Sequence, residues 1–449
     1  MFKKILIANR GEIAVRIIRA CRAMSIKTVA VYSKADARSL HVYLADESVC
    51  IGPPTVRDSY LNIAAIITAA KGTGAEAIHP GYGFLSENPT FAKLCRENNI
   101  AFIGPSPEII DRMGNKSQAR KTMMEAGIPV VPGTKEPIHT VEEALVQARS
   151  IGWPIMIKAS AGGGGKGMRV SENEDDFAEA FGIAQRESMN AFGDNTMYLE
   201  RFVKNPRHVE VQVIGDTFGN IVALGERDCS VQRNHQKMVE ESPSPFLTPE
   251  VRRAMCDAAV RAAAAVGYTS AGTIEFLLDE KRNFYFMEMN TRIQVEHPVT
   301  ELVTGIDLVE EMISVAAGEP LSFSQADIDV RGHAIECRVN AEEPARGFLP
   351  SPGTISQMHL PGGNGVRVDT AAYDGFEISP YYDSMIAKII VHGRDRTEAI
   401  AKMRTALEEM VVVGVNTNLD FQYAIMENET FASGNADTGF IEKFLRGEA

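Results

Sequence analysis

Short apolar runs alternate with amphipathic stretches through the first hundred residues of the chain. The runs are typical of buried parallel strands, and the stretches between them place apolar side chains at helical spacing. The predicted strands occupy residues 4–8, 28–32, 75–79 and 100–104, and the predicted helices occupy residues 11–24, 60–70 and 90–97. This order predicts an open parallel sheet with helices between its strands. The first strand–helix turn, residues 8–12, lacks the glycines of a dinucleotide site, so NAD binding is not expected.

The hydrophobic pattern then changes twice. After a predicted helix at residues 117–126, a second unit of about residues 131–203 contains a glycine-rich segment. From residue 204 onward the texture is of alternating strands, with a long alanine-rich helix at residues 249–266. Residues 332–342 open a further β-rich unit that helices close. We therefore predict three domains, at residues 1–114, 115–330 (with a lid subdomain at 131–203) and 331–449.

The glycine-rich segment, residues 158–170, reads KASAGGGGKGMRV. A Walker loop requires Ser or Thr after its Gly-Lys pair, whereas Gly167 occupies that position here. Strand-like residues lie on both sides of the glycines, which predicts a hairpin flap over phosphates rather than a loop that opens a helix. A mobile surface turn is the alternative, and the flanking Lys158 and Lys166 weigh against it.

Residues 272–290 predict a hairpin with a two-residue loop at Lys281-Arg282. In that register Glu275 lies directly opposite Glu288, and two like charges in that position repel each other. Either one carboxyl is protonated or a divalent cation lies between them. Asn290 shares a face with Glu288 because strand side chains have a period of two. A solvent-facing acidic hairpin is the alternative.

The next segment, TRIQVEHPVTE at residues 291–301, offers a different kind of site. If it is extended, Arg292, Gln294 and Glu296 lie on one face and suit a small planar oxyanion, with Glu296 as a possible base. Pro298 would then interrupt any strand pairing. An ion-paired edge strand explains the same residues. Arg338, on a predicted strand, is either buried and paired or reaches an anionic intermediate.

Composition narrows the possible partners and compartment. The chain carries 46 basic and 59 acidic residues, a net charge of −13, so it has no general footprint for nucleic acid. Its six cysteines are scattered without a C-x-x-C pair, which favours a reducing compartment and no zinc site. No signal peptide or membrane-spanning run is evident. We expect a cytoplasmic protein.

Six motifs together resemble those of the biotin carboxylase family, which belongs to the ATP-grasp superfamily. They are KILIANRGEIAVRIIRA at residues 4–20, HPGYGFLSEN at 79–88, GGGGKGM at 162–168, ERDCSVQRNHQK at 226–237, EMNTRIQVEHPVTE at 288–301 and GHAIECRVNAE at 332–342. The resemblance covers essentially the whole chain. It implies an α/β and α+β ATP-grasp fold with an N-terminal Rossmann-like sheet, a glycine-loop lid and a C-terminal β-rich domain.

The resemblance also implies a reaction and its residues. ATP activates bicarbonate as carboxyphosphate, and biotin on a carrier protein is then carboxylated. Implied nucleotide contacts are Lys116, Lys158, Gly164, Gly165, Lys166, Glu200, Arg201, Val203, His208, Gln232, His235, Glu275 and Glu288. Implied ligands of Mg²⁺ or Mn²⁺, with two ions expected, are Glu275, Glu288 and Asn290. Implied bicarbonate contacts are Lys237, Arg292, Gln294 and Val295, with Glu296 as the base. Implied biotin contacts are Tyr82 and Arg338, of which Arg338 would stabilise the biotin enolate.

Two departures from the family pattern and several alternatives remain. Lys166 stands where many relatives have Arg, which keeps the charge but loses the bidentate fork. Arg201 replaces the more usual Lys at the adenine contact, and a backbone contact would tolerate that change. The chain has no Met-Lys-Met biotin-attachment motif, so we expect a separate component that serves a biotin carboxyl carrier protein and carboxyltransferase partners, and that forms a homodimer. A basic face of Arg16 and Arg19 is a candidate dimer contact, and a solvated face explains the same arginines. Acetyl-CoA carboxylase is the expected complex; pyruvate, acyl-CoA and urea carboxylases are alternatives. Another ATP-grasp ligase and a nucleotide-sensing module are the competing functions.

Overall fold

The computed structural model describes residues 1–134, 136–159, 168–192 and 194–448. These residues divide into two compact units. The first comprises residues 1–128, 207–276 and the chain from Glu288 onward, and the second comprises residues 129–206 and 277–287. The three-domain division stays a prediction. The predicted phosphate contacts Gly164, Gly165 and Lys166 lie outside the described residues.

The first part of the chain forms a parallel sheet, as its pattern predicts. Its strands pair in the order β3-β2-β1-β4-β5, each parallel to its neighbours. Its elements are β1 (Lys4–Ile7), α1 (Gly11–Ala23), β2 (Lys27–Ser33), α2 (Leu40–Leu44), β3 (Glu47–Gly52), α3 (Ile63–Thr73), β4 (Ala77–His79), α4 (Pro89–Glu97), β5 (Ala101–Phe102), α5 (Pro107–Gly114) and α6 (Lys116–Glu125). Two short 3-10 helices, Lys34–Asp36 and Val56–Asp58, complete it.

The third helix begins three residues later than its hydrophobic pattern predicts. The side chain of Asn62 accepts a hydrogen bond from the amide of Ala65 and so caps the first turn of α3. The helix ends at Gly74, whose φ of +69° is a left-handed conformation that glycine adopts without strain. Capping residues at the two ends, rather than the apolar stripe, therefore fix the limits of this helix.

The second unit is a small α/β layer. Its elements are α7 (Val141–Ile151), β6 (Ile155–Ala159), β7 (Met168–Ser171), α8 (Glu174–Phe192) and β8 (Met197–Arg201). The strands pair in the order β7-β6-β8, and β6 and β7 are antiparallel with Lys158 opposite Met168. This pairing confirms the two predicted strands on either side of the glycine-rich segment and their antiparallel order. Phe177 and Phe181 are fully buried beneath the sheet.

The remaining elements form one large, mainly antiparallel sheet with helices. They begin with β9 (Arg207–Gly215), β10 (Ile221–Arg233), β11 (Gln236–Ser242), α9 (Pro249–Val266), β12 (Ser270–Leu278), β13 (Phe284–Asn290), α10 (His297–Thr304), α11 (Leu308–Ala316) and the 3-10 helix Gln325–Asp327. They continue with β14 (His333–Asn340), β15 (Glu342–Glu343), the 3-10 helix Pro344–Arg346, β16 (Leu349–Pro350), β17 (Gly353–Thr354), β18 (Gln357–His359), β19 (Val366–Thr370), β20 (Glu377–Ile378), β21 (Met385–Gly393), α12 (Arg396–Glu409), β22 (Val411–Val413), α13 (Leu419–Glu427), α14 (Glu429–Ala432) and α15 (Phe440–Leu445).

The large sheet has eight strands in the order β13-β12-β9-β10-β11-β14-β21-β19. Strands β14, β21 and β19 come from the predicted C-terminal domain, and the other five come from the predicted middle domain. One hydrogen-bonded sheet therefore spans residue 331, across the predicted boundary. The sequence did not indicate this continuity because β11 and β14, which join the two halves, are more than 90 residues apart.

The loop between β12 and β13 differs from the predicted one. The amide of Asp279 donates to the carbonyl of Asn283 at 3.0 Å, and the amide of Arg282 donates to the carbonyl of Asp279 at 2.9 Å. Arg282 has a φ of +64°. The loop is thus three residues, 280–282, with a left-handed last residue, and the predicted two-residue loop is wrong. The left-handed position is occupied by Arg282 rather than by the glycine or asparagine that usually occupies it. The sequence therefore offered no signal for a left-handed residue at that position.

The structure also bears on the expected basic face of α1 and on the expected absence of a membrane-spanning segment. Arg16 does not form an exposed basic face with Arg19, because it is buried and bonded to Glu301 at 2.8 Å and Asp307 at 2.7 Å. That possible contact surface is therefore wrong for Arg16. Among the described residues, no helix is both long and apolar enough to cross a membrane.

The core of the second unit allows a stability prediction. Phe181→Ala should lower the free energy of unfolding of this unit by about 3–5 kcal/mol, because it removes a buried ring and leaves a cavity. Trp153, the one tryptophan of the chain, lies 5.3 Å from Phe177 in this core, so its fluorescence during urea unfolding reports on this unit. Val146→Ala, at a side chain that is 64% exposed on α7, is the matched control. Equal urea midpoints for the two variants would contradict the assignment of this core.

Candidate active site

A buried arginine organises the centre of the large sheet. Arg227 lies on β10 and is fully buried. Its guanidinium donates to Glu210 and Gln212 at 2.6 Å each, and to the hydroxyls of Thr273 and Thr300 at 3.0 Å each. A buried charge is tolerated only when it is paired and hydrogen-bonded. The guanidinium therefore links β9, β10, β12 and α10 through hydrogen bonds.

Lys237, on β11, connects Glu210 of this network to two further carboxylates. Its ammonium donates to Glu210 at 2.6 Å, to Glu296 at 2.6 Å and to Glu275 at 3.1 Å. Burial would lower the pKa of Lys237, but the acidic groups around it, Cys229, Glu210, Glu296 and Glu275, raise this pKa well above its ordinary value. The ammonium stays charged and uses its three donors on three carboxylates.

Glu275, on β12, is the second junction of the network. One of its oxygens accepts from Lys237, from the amide of Asn290 at 2.8 Å and from the amide of Gln294 at 3.1 Å. The other oxygen lies 3.0 Å from Nε2 of His208. Burial would raise the pKa of Glu275, but Lys237 and His208 hold it below its usual range. This carboxyl is therefore ionised at neutral pH.

The segment that carries Arg292 and Gln294 is not an extended strand. Residues 291–296 form bends and a turn that lead into α10, and Pro298 lies in the first turn of that helix. The extended conformation assumed for this segment and the alternative of an ion-paired edge strand are therefore both wrong. The chain bends here, and Arg292 still reaches Gln294 at 2.8 Å and Asn290 at 3.1 Å. Its remaining nitrogen donates to Glu87 at 2.9 Å.

Glu296 is the residue that precedes α10, and its carboxylate is held between two cations. One oxygen accepts from Lys237 at 2.6 Å, and the other accepts from Arg338 at 3.0 Å. The side chain is fully buried. Burial would raise the pKa of Glu296, but Lys237, Arg338 and Arg227 lower it well below its ordinary value. Glu296 is thus an ionised carboxylate at neutral pH, as a general base must be.

Tyr82 and Arg338, the predicted biotin contacts, belong to this network. Arg338, on β14, donates to Glu240 at 2.7 Å as well as to Glu296. The hydroxyl of Tyr82 donates to Glu12 on α1. Buried Lys388, on β21, lies 3.2 Å from Glu12.

Lys388 also fixes a predicted bicarbonate contact. Its ammonium donates to the carbonyl of Val295 at 2.6 Å, within the turn that precedes Glu296. This bond fixes the orientation of the Val295–Glu296 peptide unit, and a contact from Val295 to an anion would come from its own backbone N–H, because a carbonyl cannot donate.

The predicted metal ligands come together in part. The amide of Asn290 contacts Glu275, whereas Glu288 lies 3.6 Å from the ammonium of Lys116. Two carboxylates and an amide oxygen are the hard ligands that Mg²⁺ prefers, so this donor set fits a divalent cation. Direct opposition of Glu275 and Glu288 was predicted from the two-residue loop, so the three-residue loop removes the basis for that register; that the two carboxylates bind the same metal stays a prediction.

Several predicted nucleotide contacts lie on well-defined elements. Gln232 is opposite Lys237 on β10 and β11, and Asn234 and His235 both have positive φ, as a two-residue hairpin turn requires. His235 is exposed at that turn. In the second unit, Lys158 pairs with Glu200, while Arg201 and Val203 lie at the end of β8 and just beyond it. Their contacts with a nucleotide stay predictions.

The sequence did not identify the buried charged residues that lie around the predicted site residues. Arg227, Glu240, Glu336, Lys388 and Glu12 are buried charged groups. Alternation along β14 places Glu336 and Arg338 on one face, which is the one signal that the sequence offered. Charged residues in strands are normally solvent-exposed, so their burial could not be read from the pattern.

Family models match almost the whole chain in three consecutive parts. Residues 1–110 match "Biotin carboxylase, N-terminal domain", residues 115–324 match "Carbamoyl-phosphate synthase L chain, ATP binding domain" and residues 336–443 match "Biotin carboxylase C-terminal domain". These ranges contain every residue of the network described above.

Individual relatives agree with the family models. "Biotin carboxylase 1" of Bacillus subtilis is 57% identical over 445 residues, 99% of each chain. A pyruvate carboxylase component of Methanothermobacter thermautotrophicus is 53% identical over 447 residues, 100% of this chain and 91% of that one. A crystal structure of the Hydrogenobacter thermophilus 2-oxoglutarate carboxylase biotin carboxylase domain dimer, with MgADP, ADP and bicarbonate, is 50% identical. Its TM-score is 0.89 over 100% of this chain and 99% of that one.

The buried arginine allows a second prediction. Arg227→Met should destabilise the protein by about 3–5 kcal/mol, because it leaves Glu210 with an uncompensated part of its buried charge. Arg404→Met is the control, since Arg404 is paired with Glu427 at the surface and should change stability little. Thermal unfolding in parallel checks this. Equal shifts in melting temperature for the two variants would show that Arg227 does not stabilise the sheet more than a surface arginine does.

Proposed function

The chain belongs to the biotin carboxylase family, and on that premise we propose which of its side chains perform the ATP-dependent carboxylation of biotin. The observation that carries the proposal is Glu296, a buried carboxylate between the ammonium of Lys237 and the guanidinium of Arg338. A carboxylate base beside two cations suits this reaction. The base removes a proton from bicarbonate, and biotin is then activated as a nucleophile next to it.

Bicarbonate is proposed to bind beside Glu296. Lys237, Arg292 and the amide of Gln294 supply donors, and the amide of Val295 supplies another. Arg292 and Gln294 already contact one another at 2.8 Å, and Gln294 is fixed by Glu275 at 3.1 Å. A planar oxyanion matches the fork of a guanidinium. Glu296 accepts the proton of bound bicarbonate, which makes the bicarbonate oxygen a better nucleophile toward the γ-phosphate of ATP.

The basicity of Glu296 depends on what its two cations contact. With both cations on its carboxylate, its pKa lies well below the ordinary value, which makes it a weak base. Bicarbonate draws on Lys237, and the biotin enolate draws on Arg338. Each substrate therefore removes part of the positive charge from Glu296 and raises its basicity as the site fills. Unproductive proton transfer is limited in the empty site for the same reason.

The chain uses ATP and a divalent metal. We propose that Glu275, Glu288 and Asn290 hold two ions, Mg²⁺ or Mn²⁺, and that bound metal neutralises phosphate charge. Lys116, whose ammonium lies 3.6 Å from Glu288, is close enough to this set to contact the same phosphates. Proposed nucleotide contacts in addition are Lys158, Gly164, Gly165, Lys166, Glu200, Arg201, Val203, His208, Gln232 and His235.

Biotin is proposed to reach the site while attached to a biotin carboxyl carrier protein. Tyr82 contacts its ring, and Arg338 stabilises the enolate as the ureido nitrogen becomes nucleophilic. We propose a homodimer and carboxyltransferase partners, with acetyl-CoA carboxylase as the complex served. A relative named as part of a pyruvate carboxylase makes that complex the alternative. Because the final acceptor takes part in the second half-reaction, none of the site residues that the structure describes is expected to discriminate it.

The reaction can be tested on the isolated chain. Purified protein with ATP, Mg²⁺, labelled bicarbonate and free biotin should form ADP and carboxybiotin in a biotin-dependent way. Product analysis separates the outcomes: bicarbonate-dependent ADP formation with an amine in place of biotin would instead indicate another ATP-grasp ligase. Nucleotide binding without turnover would indicate a sensing module.

Glu296→Gln should abolish turnover while leaving ATP affinity nearly unchanged. The amide keeps the shape of the side chain but cannot take a proton, and a general base contributes roughly 10²–10⁴-fold to rate. Steady-state kinetics with calorimetric ATP binding measures both quantities. Turnover within a few-fold of the unsubstituted chain would contradict the assignment of Glu296 as the base.

Glu288→Gln should weaken metal use with little effect on the fold. The side chain of Glu288 is 38% exposed, so its replacement leaves no buried charge behind. The Mg²⁺ concentration for half-maximal activity should rise about tenfold or more, because one anionic ligand becomes neutral. Glu280→Gln, on the nearby exposed loop, is the control. An unchanged Mg²⁺ dependence of Glu288→Gln would contradict the metal assignment.

A further inference from the structure

Beneath Arg338 lies a pair of buried carboxyl groups that the reaction described above does not use. Glu240 on β11 and Glu336 on β14 are directly opposite one another in the antiparallel pairing, and both are fully buried. Residues directly opposite on neighbouring strands point to the same face, with Cβ atoms about 4.5–5.5 Å apart. Two carboxylates in that position, away from water, repel one another strongly.

In the part of the chain that the structure describes, donors reach only one of the four carboxylate oxygens of this pair. One oxygen of Glu240 accepts from Nε of Arg338 at 2.7 Å and lies 2.5 Å from its Nη2. Among the described residues, no N–H or O–H donor reaches the other oxygen of Glu240 or either oxygen of Glu336. Buried carboxylate oxygens without a donor are costly. A proton shared between the two carboxyl groups would serve one oxygen of each and remove one negative charge.

The charges that face the pair come from five elements and one loop. Glu336 faces Lys388 on β21, Glu240 on β11, Arg338 on its own strand β14, Glu296 at the start of α10 and Tyr82 in the loop after β4. Glu240 faces Arg338, Glu296 and Lys237. Cys229 on β10 and Cys337 on β14 lie within the influence of these acids. Burial raises the pKa of Glu240 to about 7, against Arg338, and raises the pKa of Glu336 well above its ordinary value.

We propose that Glu240 and Glu336 share one proton and that Glu240 thereby positions the guanidinium of Arg338 against Glu296. Arg338 divides its donors between Glu240 and Glu296. With one proton in the pair, Glu240 fixes the orientation of the guanidinium without drawing it away from the reacting groups. Loss of that proton adds a full negative charge behind Arg338, which retracts the guanidinium from the biotin side. Both Glu240 and Glu336 act through Arg338 and are positioning residues.

This inference rests on the proposed role of Arg338 toward biotin, and two independent readouts separate it from that role. Infrared difference spectroscopy between the unsubstituted chain and Glu336→Gln should show loss of the carbonyl stretch of a buried protonated carboxyl. The same spectrum of Glu241→Gln, a buried glutamate beside Glu240 that pairs with His333 and Arg396 instead, is the control. Absence of that band from the unsubstituted chain overturns the shared proton, whether or not biotin is carboxylated.

Kinetics tests the positioning. Glu240→Gln keeps an oxygen that accepts from Arg338 but makes the hydrogen bond neutral, so kcat/KM for biotin should fall about tenfold at neutral pH. Glu240→Leu should fall at least tenfold further, while KM for ATP stays unchanged in both variants. Equal losses in the Gln and Leu variants, or a parallel rise in KM for ATP, would mean a merely structural role.

The pH profile provides the matching test for Glu336. The pair loses its proton as pH rises, so kcat/KM for biotin should decline on the alkaline side of the profile. Glu336→Gln removes the proton that is lost, and its alkaline decline should move to higher pH. Thermal unfolding confirms that each variant is folded before its profile is measured. A profile of Glu336→Gln that coincides with the unsubstituted one overturns the proposal.

Discussion

The structure depends on keeping buried carboxylates and buried cations in balance at the centre of one sheet. Arg227 and Lys237 share Glu210, and Lys237 connects Glu210 with Glu275 and Glu296. Each group would be unstable alone in that position, since an unpaired buried charge costs several kcal/mol. The strands that carry them, β9 to β12, must therefore pair in one register. The apolar core on the other face provides the driving force, and the charge network selects the arrangement.

The same balance gives the site its chemical character. Glu296 is ionised because two cations contact it, and in the proposed mechanism it becomes a stronger base when substrates take over those cations. In the proposed carboxyl pair, Glu240 orients Arg338 without neutralising it. A catalytic group and its supports thus form one electrostatic unit, and substitutions within it should affect pH dependence as well as rate. The proposed function therefore depends on how charge is distributed among strands that are far apart in sequence, as well as on Glu296 itself.

The continuity of the large sheet explains why the site can be rigid although its residues are dispersed. Glu240 and Glu336 are adjacent only because β11 pairs with β14, and Lys388 reaches the turn at Val295 only because β21 pairs with β14. Groups mounted on paired strands are positioned more precisely than groups on loops. By contrast, the segment at Arg292 is a bend, and its side chain is held by Glu87, Asn290 and Gln294 instead.

The sequence by itself determined the kinds of element and the motifs. The apolar runs around Ile5 and Val29 predict the parallel sheet, and the alternating pattern from residue 204 onward predicts strands such as β9. These are local properties, set by the period of side chains along a strand. It also identified the family through motifs that each lie within one short segment.

Only the tertiary structure decided which charges meet. Arg16 is a buried ion-pair partner, the 280–282 loop has one residue more than predicted because Arg282 is left-handed, and the segment at Arg292, which was assumed to be extended, is a bend before α10. Burial of Glu240, Glu336 and Lys388 follows from strand pairing over long separations, which local periodicity does not encode. The physical reason is that a charge is placed inside a protein by partners that compensate it, and those partners are chosen by the fold.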